Sequence, residues 1–380
     1  DLYVVGDGET NRLLHYEGGA TFSDQTVSPL NDSAAGMSTQ CVDFDGDGKL
    51  DYHLVKDGAN RLVRNLGHGF FSELVGSDVN DAGAGVAAAW GDFDLDGLDD
   101  VYVVNDQTPN ALIRNFGYSW FEAVSASPLD DAGPGRAAAW GDFDDDGDLD
   151  LYLVNDGAPN HLFRNDRSDG FVDVTAGALA VAGPGADASW ADVDNDGDLD
   201  LYLVNDGASN HLFRNDRAGG FVDATPSPLN DGGQGSAAAW ADYDRDGDLD
   251  LYLANVDGPN RLIQNNDQSG HRWLHVRLVG TLSNSSCVGA QVRLKAGRRW
   301  QTRTVFGGRG AMAQDSPLVE FGLGVESVVD SLLVVWPRRL DRGQFHTTVM
   351  TALGVDQVVT LVEKDDAAVD VPNTPFVPDH

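Results

Sequence analysis

Trp140-Gly141-Asp142-Phe143-Asp144-Asp145-Asp146-Gly147-Asp148-Leu149-Asp150-Leu151-Tyr152-Leu153-Val154 is the stretch that decides the fold. Its carboxylates stand at loop positions 1, 3 and 5 (Asp142, Asp144, Asp146), and Asp150 stands at position 9. Carboxylates at alternate positions of a tightly coiled backbone converge on one point, and Gly147 at position 6 permits the sharp turn. A hard cation with six to eight oxygen ligands fits such a set, and Ca²⁺ fits it best. Mg²⁺ demands octahedral geometry, and Zn²⁺ would call for His or Cys. An EF-hand shares the first six positions but needs a Glu at position 12 and a helix on either side. Position 12 here is Leu54, Val103, Leu153, Leu203 or Leu253, and the flanking runs are short and apolar, as in strands.

The loop recurs on a ruler. Copies open at Asp43, Asp92, Asp142, Asp192 and Asp242, spaced by 49, 50, 50 and 50 residues. The expected ligands are Asp43, Asp45, Asp47, Lys49 and Asp51; Asp92, Asp94, Asp96, Leu98 and Asp100; Asp142, Asp144, Asp146, Asp148 and Asp150; Asp192, Asp194, Asp196, Asp198 and Asp200; and Asp242, Asp244, Asp246, Asp248 and Asp250. At position 7 (Lys49, Leu98, Asp148, Asp198, Asp248) the ligand would be the main-chain carbonyl. So many carboxylates in one turn repel one another unless a cation sits among them. About five Ca²⁺ are therefore expected, one per loop, acting as structural staples.

A period near 50 in an all-β pattern means a propeller or a solenoid. One unit offers an Ala-rich run ending at Trp140, then Asp150 to Asn155, Asn160 to Asn165 and Gly170 to Thr175, with Asp/Gly/Asn/Pro turns between them. Four short strands make one propeller blade. The Ala-rich strand suits the crowded axis, Phe171 and Phe221 suit the wide outer strand, and the Trp is expected to pack between blades. Asp1-Leu-Tyr-Val-Val matches Asp150-Leu-Tyr-Leu-Val, so Asp1 reads as the ninth position of a sixth loop. Four full blades are expected at about 36–75, 85–125, 135–175 and 185–225, with a last one at about 235–265 that runs out after three strands. The Pro-containing segment 365–380 is extended, and is expected either to fray or to fill an incomplete blade.

The Asp-x-Asp-x-Asp-Gly-x-x-Asp motif on a strand hairpin resembles the FG-GAP/VCBS repeat of integrin α-chain propellers, over residues 1–265. After Asn265 the pattern changes. Trp273-Leu274, Ser283-Asn284, Gly289-Ala290, Gln314, Phe321-Gly322-Leu323-Gly324 and Trp336-Pro337 resemble the ASPIC/UnbV domain. The fold class read from all this is all-β, a propeller of about six blades plus a small C-terminal antiparallel sandwich. The domains are expected at 1–268 and 269–364, with a tail at 365–380. The two-domain order is similar to that of the cartilage acidic protein family. That resemblance implies a calcium-binding extracellular protein and supplies no reaction.

The formal net charge is −36 over 380 residues, of which 41% are hydrophobic, enough for a core. Residues 1–270 carry −37, residues 271–350 carry +6 and the last thirty carry −5. The acidic part excludes nucleic acid as a partner and disfavours anionic membranes. Arg293, Lys295, Arg298, Arg299 and Arg303 could share one face, either solvated or docked on something acidic. Cys41 takes the place of the repeated Trp, so a buried thiol is expected there, and no disulfide with Cys287 is indicated. No run of 18 apolar residues spans a membrane. Weak Ca²⁺ loops work at roughly 10⁻⁴–10⁻³ M, which points to the outside of the cell, and Asn31 and Asn284 open glycosylation sequons. No nucleophile elbow, zincin helix or phosphate loop is present. His161 and His211 share a repeat position filled by Arg or Ala elsewhere, which reads as surface. The function expected is a secreted scaffold for adhesion or recognition of a protein or glycan, without catalysis. The alternatives are a head-to-tail extracellular filament, and a polysaccharide lyase or dehydratase with its site at the channel mouth.

Overall fold

The computed structural model describes residues 2–6, 8–19, 21–33, 36–80, 83–124, 128–310, 312–340 and 344–364. Asp1 and the 365–380 segment lie outside the described residues.

Six antiparallel blades follow one another along the chain, the fourth and fifth joined into one sheet by the pairing of Asp156 with Pro184. The first has strands Leu2–Val4, Arg12–Gly18 and Thr21–Asp24. The next four have four strands each, and their first strands are Gly36–Val42, Gly85–Gly91, Gly135–Gly141 and Ala182–Ala191. The sixth shows Gly235–Ala241, Asp250–Asn255 and Arg261–Ile263 among the described residues. The register repeats with the sequence. Trp90, Trp140, Trp190 and Trp240 stand opposite Val101, Leu151, Leu201 and Leu251, and each first strand has a bulge after its leading glycine. This is a β-propeller with the Ala-rich strands innermost.

Inner strands of neighbouring blades pack directly, which is why they are built from Ala and Gly. A Cβ on Gly135 would lie 2.6 Å from Val104 Cγ1 of the preceding blade, and one on Gly185 would lie 2.4 Å from Val154 Cγ1. The Trp side chains tie blades together as well as filling the core. Trp140 Nε1 donates to Ala89 O at 2.9 Å, Trp190 Nε1 to Ala139 O at 3.1 Å, and Trp240 Nε1 to Ser189 Oγ at 2.9 Å. Between these belts lie buried Tyr102, Tyr152 and Tyr202, whose hydroxyls donate to Leu129, Leu179 and Leu229 carbonyls in the link to the next blade. Cys41 and Cys287 are unpaired, and burial pushes the Cys41 thiol up to about 11.

The C-terminal domain has two sheets around one core that includes Leu274, Val292, Phe321, Val334 and Trp336. Leu318–Gly324, Arg272–Val279 and Gln357–Val362 form one sheet; Arg299–Thr304, Gln291–Ala296, Val329–Leu340 and Gln344–Leu353 form the other. The sequence reading of a purely antiparallel sandwich is corrected here. Gln357–Val362 runs parallel to Arg272–Val279, from Leu274↔Gln357 to Val279↔Val362. The chain crosses the second sheet before returning, and a long crossover of that kind allows parallel pairing.

Candidate metal centres and the domain interface

Every Asp loop is coiled by left-handed residues at positions 4 and 6. Asp145 has φ 61° and Gly147 φ 92°; Asn195 and Gly197 repeat this at 55° and 95°. The coil brings carboxylate oxygens together. Those of Asp92, Asp94 and Asp96, of Asp142, Asp144 and Asp146, of Asp192, Asp194 and Asp196, and of Asp242, Asp244 and Asp246 each lie within 4.8 Å of one another. In the first loop the converging set is Asp43, Asp45 and Asp51, while Asp47 pairs with Lys49 at 2.9 Å and lies 3.3 Å from Arg64.

One oxygen of the first Asp is always committed to the loop. Gly97 N donates to Asp92 Oδ2 at 2.8 Å, Gly147 N to Asp142 Oδ2 at 3.1 Å, and Gly197 N to Asp192 Oδ2 at 2.9 Å. Position 9 is held likewise: Asn115 N donates to Asp100 Oδ1 at 2.7 Å, and Asn165 N and Asn215 N donate to Asp150 and Asp200 at 2.8 Å. Some of the remaining oxygens also take a main-chain N–H, as Asp92 Oδ1 does from Asp96 N at 3.0 Å and Asp150 Oδ2 from Phe143 N at 3.2 Å, and others do not. Asp142 Oδ1, Asp192 Oδ1 and Asp51 Oδ2 are buried with no partner. Burial, reinforced by the neighbouring carboxylates, pushes Asp43 up to about 7 and Asp51 to about 8, and holds Asp92, Asp142 and Asp150 well above the usual carboxylate range. Buried anionic oxygens that lack donors are what a hard cation satisfies, so the donor set fits Ca²⁺. At position 7 the side chains face elsewhere. Leu98 is buried, Asp148 meets Arg167, Asp198 meets Arg217, and Asp248 accepts from Asn195 Nδ2 at 2.9 Å.

A second repeated residue stitches the loops around the ring. Asn115, Asn165, Asn215 and Asn265 donate through Nδ2 to the carbonyls of Phe44, Phe93, Phe143 and Val193, at 2.8–2.9 Å. Each acceptor is position 2 of the preceding blade's loop. This Asn went unread in the sequence, although its spacing of 50 residues is the signal that could have found it.

The profile of the FG-GAP-like repeat matches residues 1–54, 43–103, 92–153, 142–203 and 192–253, and that of ASPIC and UnbV matches 280–368. The chain belongs to the FG-GAP-like repeat family. It is similar in structure to a lectin of Agrocybe aegerita described as recognising non-reducing terminal N-acetylglucosamine, at 16% identity over 70% of this chain and 80% of the lectin, with a TM-score of 0.47. It is also similar to PorZ, a surface component of the type-IX secretion system of Porphyromonas gingivalis, at 14% identity over 94% of this chain and 50% of PorZ, with a TM-score of 0.44. A search of curated proteins finds no match.

The C-terminal domain lies against all five FG-GAP-like loops: a Cβ on Gly48 would lie 3.2 Å from Leu282 O and one on Gly97 2.2 Å from Phe345 Cε1, and the other three loops are met as follows. Arg299 donates to Asp145 Oδ2 at 2.9 Å and to Asp196 O at 2.6 Å, and also pairs with Asp198. Arg303 Nη2 reaches Gly197 O at 3.2 Å. Main-chain N–H groups of Gly322 and Gly324 donate to Asp192 Oδ2 at 3.0 Å and to Asn195 O at 2.8 Å. His271 Nδ1 lies 2.7 Å from Asp194 O, and Trp273 covers Gly247, where a Cβ would meet its Nε1 at 1.9 Å. Burial holds the Arg293 guanidinium below its ordinary value. Of the basic set singled out in sequence, Arg299 and Arg303 therefore dock in cis, Arg298 is exposed, and Lys295 lies over the Trp300 ring at 5.7 Å.

From the same domain a finger, residues 306–310 and 312–316, enters the propeller axis. Cys41 N donates to Gly307 O at 3.3 Å and Gln40 Nε2 to Gly310 O at 3.3 Å. Arg309 is buried, 3.5 Å from Asp187 and 2.9 Å from Asp315, and also donates to Ala238 O. Asp315 Oδ1 accepts from Trp240 N at 2.9 Å, and Ser316 N donates to Trp240 O at 3.0 Å. Gln40 and Asp187 stand where other inner strands carry Ala or Ser, so the departures from the repeat mark where the finger seats.

Proposed function

We propose that this chain is a calcium-stabilised propeller scaffold for extracellular recognition or adhesion, without catalysis of its own. The observation that carries the reading is the buried, donor-less carboxylate oxygens in the repeated loops. Bound Ca²⁺ would supply charge neutralisation to the Asp triads; the Asn ring and the docked C-terminal domain would then hold neighbouring loops in place. A rigid ring of this kind presents its hairpin tips to a partner, and the strong negative charge selects against anionic ones. Among the described residues no helix is long and apolar enough to cross a membrane. The test is adhesion of protein-coated beads to cells and matrix in Ca²⁺ and in EGTA. Calcium-dependent attachment is expected, and attachment indifferent to both conditions argues against the reading.

A lyase or dehydratase is the second reading, because one observation favours it. A cavity of about 210 Å³ lies between the propeller and the C-terminal domain, lined by Trp140, Trp190, Trp240, Arg303, Asp315 and Glu320. Turnover of a polysaccharide panel, abolished by Glu320→Gln, would establish it. The filament reading has lost part of its motive, since Arg299 and Arg303 are engaged within the chain.

A further inference from the structure

We propose that the outer hairpin tips of the second and third blades form a docking surface for an arginine-bearing basic polypeptide segment. This rests on the recognition reading above and names the partner's chemistry.

The surface emerges when the blades are compared position by position. Phe116, Trp120 and Tyr118 of the third blade correspond to Asp166, Gly170 and Ser168 of the fourth, and to Asp216, Gly220 and Ala218 of the fifth. The hairpins turn differently, Tyr118 and Ser119 being left-handed where the fourth blade has a 3-10 turn over Arg167–Asp169, yet both close on the same bond: Phe116 N donates to Trp120 O at 2.9 Å, and Asp166 N to Gly170 O at 3.0 Å. The fold therefore does not require aromatics there. Yet Tyr118 is 102% exposed and Trp120 60%. Phe70, the second blade's counterpart of Trp120, is 69% exposed. Tyr118 also sits at φ 53°, followed by Ser119 at φ 64°. A bulky residue in the left-handed region with no packing around it contributes nothing to stability, and strain of this kind gathers at functional sites. Both hairpins abut the Asp43 loop. Asn115 Nδ2 donates to Phe44 O of the Asp43 loop at 2.8 Å, and Gly67 lies against Lys49 of the same loop, where a Cβ would come 3.1 Å from Lys49 Cε.

Charge chooses the occupant. The aromatic tips stand in an acidic half-molecule of net −37, with Glu122 exposed and Asp78 Oδ2 bonded to Ala123 N on the adjoining strand. An apolar patch in an acidic frame complements a cation with a flat apolar face, and a guanidinium stacks on rings where an ammonium does so less well. The chain already makes this contact internally, with the Arg114 guanidinium 4.8 Å from the Phe116 ring centre. Phe116 and Trp120 are stacked at 4.9 Å, which presents Trp120 as a flat platform.

The test is a titration of the whole chain, in millimolar Ca²⁺ and 150 mM salt, with fluorescein-labelled nona-arginine and nona-lysine. The variant Tyr118→Ser/Trp120→Gly carries the fourth-blade residues at these two positions, and an unchanged melting temperature verifies its fold. We expect the unmutated protein to bind nona-arginine at least fivefold more tightly than the variant, and the two to bind nona-lysine within about twofold of each other. Equal nona-arginine binding by both overturns the proposal, as does quenching of Trp120 by neutral chito- or cello-oligosaccharides alone. Either failure leaves the scaffold reading standing, because that is judged separately by calcium-dependent adhesion and melting.

Discussion

The first position of the Asp142 loop shows how much one residue does. Its Oδ2 takes the Gly147 N–H that turns the loop, and its Oδ1 is buried with nothing to bond. Asp142→Ala should remove one site alone, so calorimetric titration of chelated protein should fall from about five Ca²⁺ to about four. Glu363 acts quite differently. Its Oε2 accepts the N–H groups of Thr281, Leu282 and Ser283 at 2.8–3.0 Å, and His346 Nδ1 lies 3.0 Å from Oε1. Burial opposes the charge, but the Ser283 and Leu282 N–H groups and His346 outweigh it and push Glu363 down to about 2 from 4.5. A depressed carboxylate gives stability that is present above its unfolded value and is lost as pH falls from about 4.5 towards 2. Glu363→Gln should therefore cost about 3 kcal/mol in urea melts at pH 7 and progressively less below pH 4.5. An equal cost at both pH values would contradict this role for Glu363.

At the scale of the element, the loops and strands were legible because each is local. The left-handed glycine at position 6, the period-two pattern and the Trp at the strand end are all written within about twenty residues. What stayed hidden was pairing between distant segments. Gln357–Val362 joins the first sheet of its domain in parallel, a choice set by the crossover before it. The finger at 306–310 and 312–316 reads in sequence as a glycine-rich turn, yet a Cβ on Gly307 would lie 1.8 Å from Cys41 O, so Gly307 serves contact with a strand some 260 residues away. Asp187 carried a signal that could have been read, as an Asp in a column of Ala and Ser. Arg309→Met should leave Asp187 buried and uncompensated, at a cost of about 3–5 kcal/mol in denaturant melts. Adding Asp187→Ala, which restores the residue of the other blades, should recover part of that loss. A double variant no better than Arg309→Met alone would show that the pair is not coupled.

The whole molecule is a ring of loops under a domain that presses on all five. The contacts of Arg299 to Asp145 and Asp198, and of Gly322 to Asp192, make loop geometry and domain docking one equilibrium. Whatever orders the loops should therefore stabilise both domains together, and a cation that binds only the folded form raises stability by mass action. At a hundredfold excess over its dissociation constant each site adds about 2.7 kcal/mol. The most direct measurement is the melting temperature of the whole chain in 10 mM Ca²⁺ against the same protein in EGTA. Five stapled loops should separate the two by at least about 10 °C, with both domains melting in one step. Curves that coincide within about 1 °C would contradict calcium as the staple of this propeller.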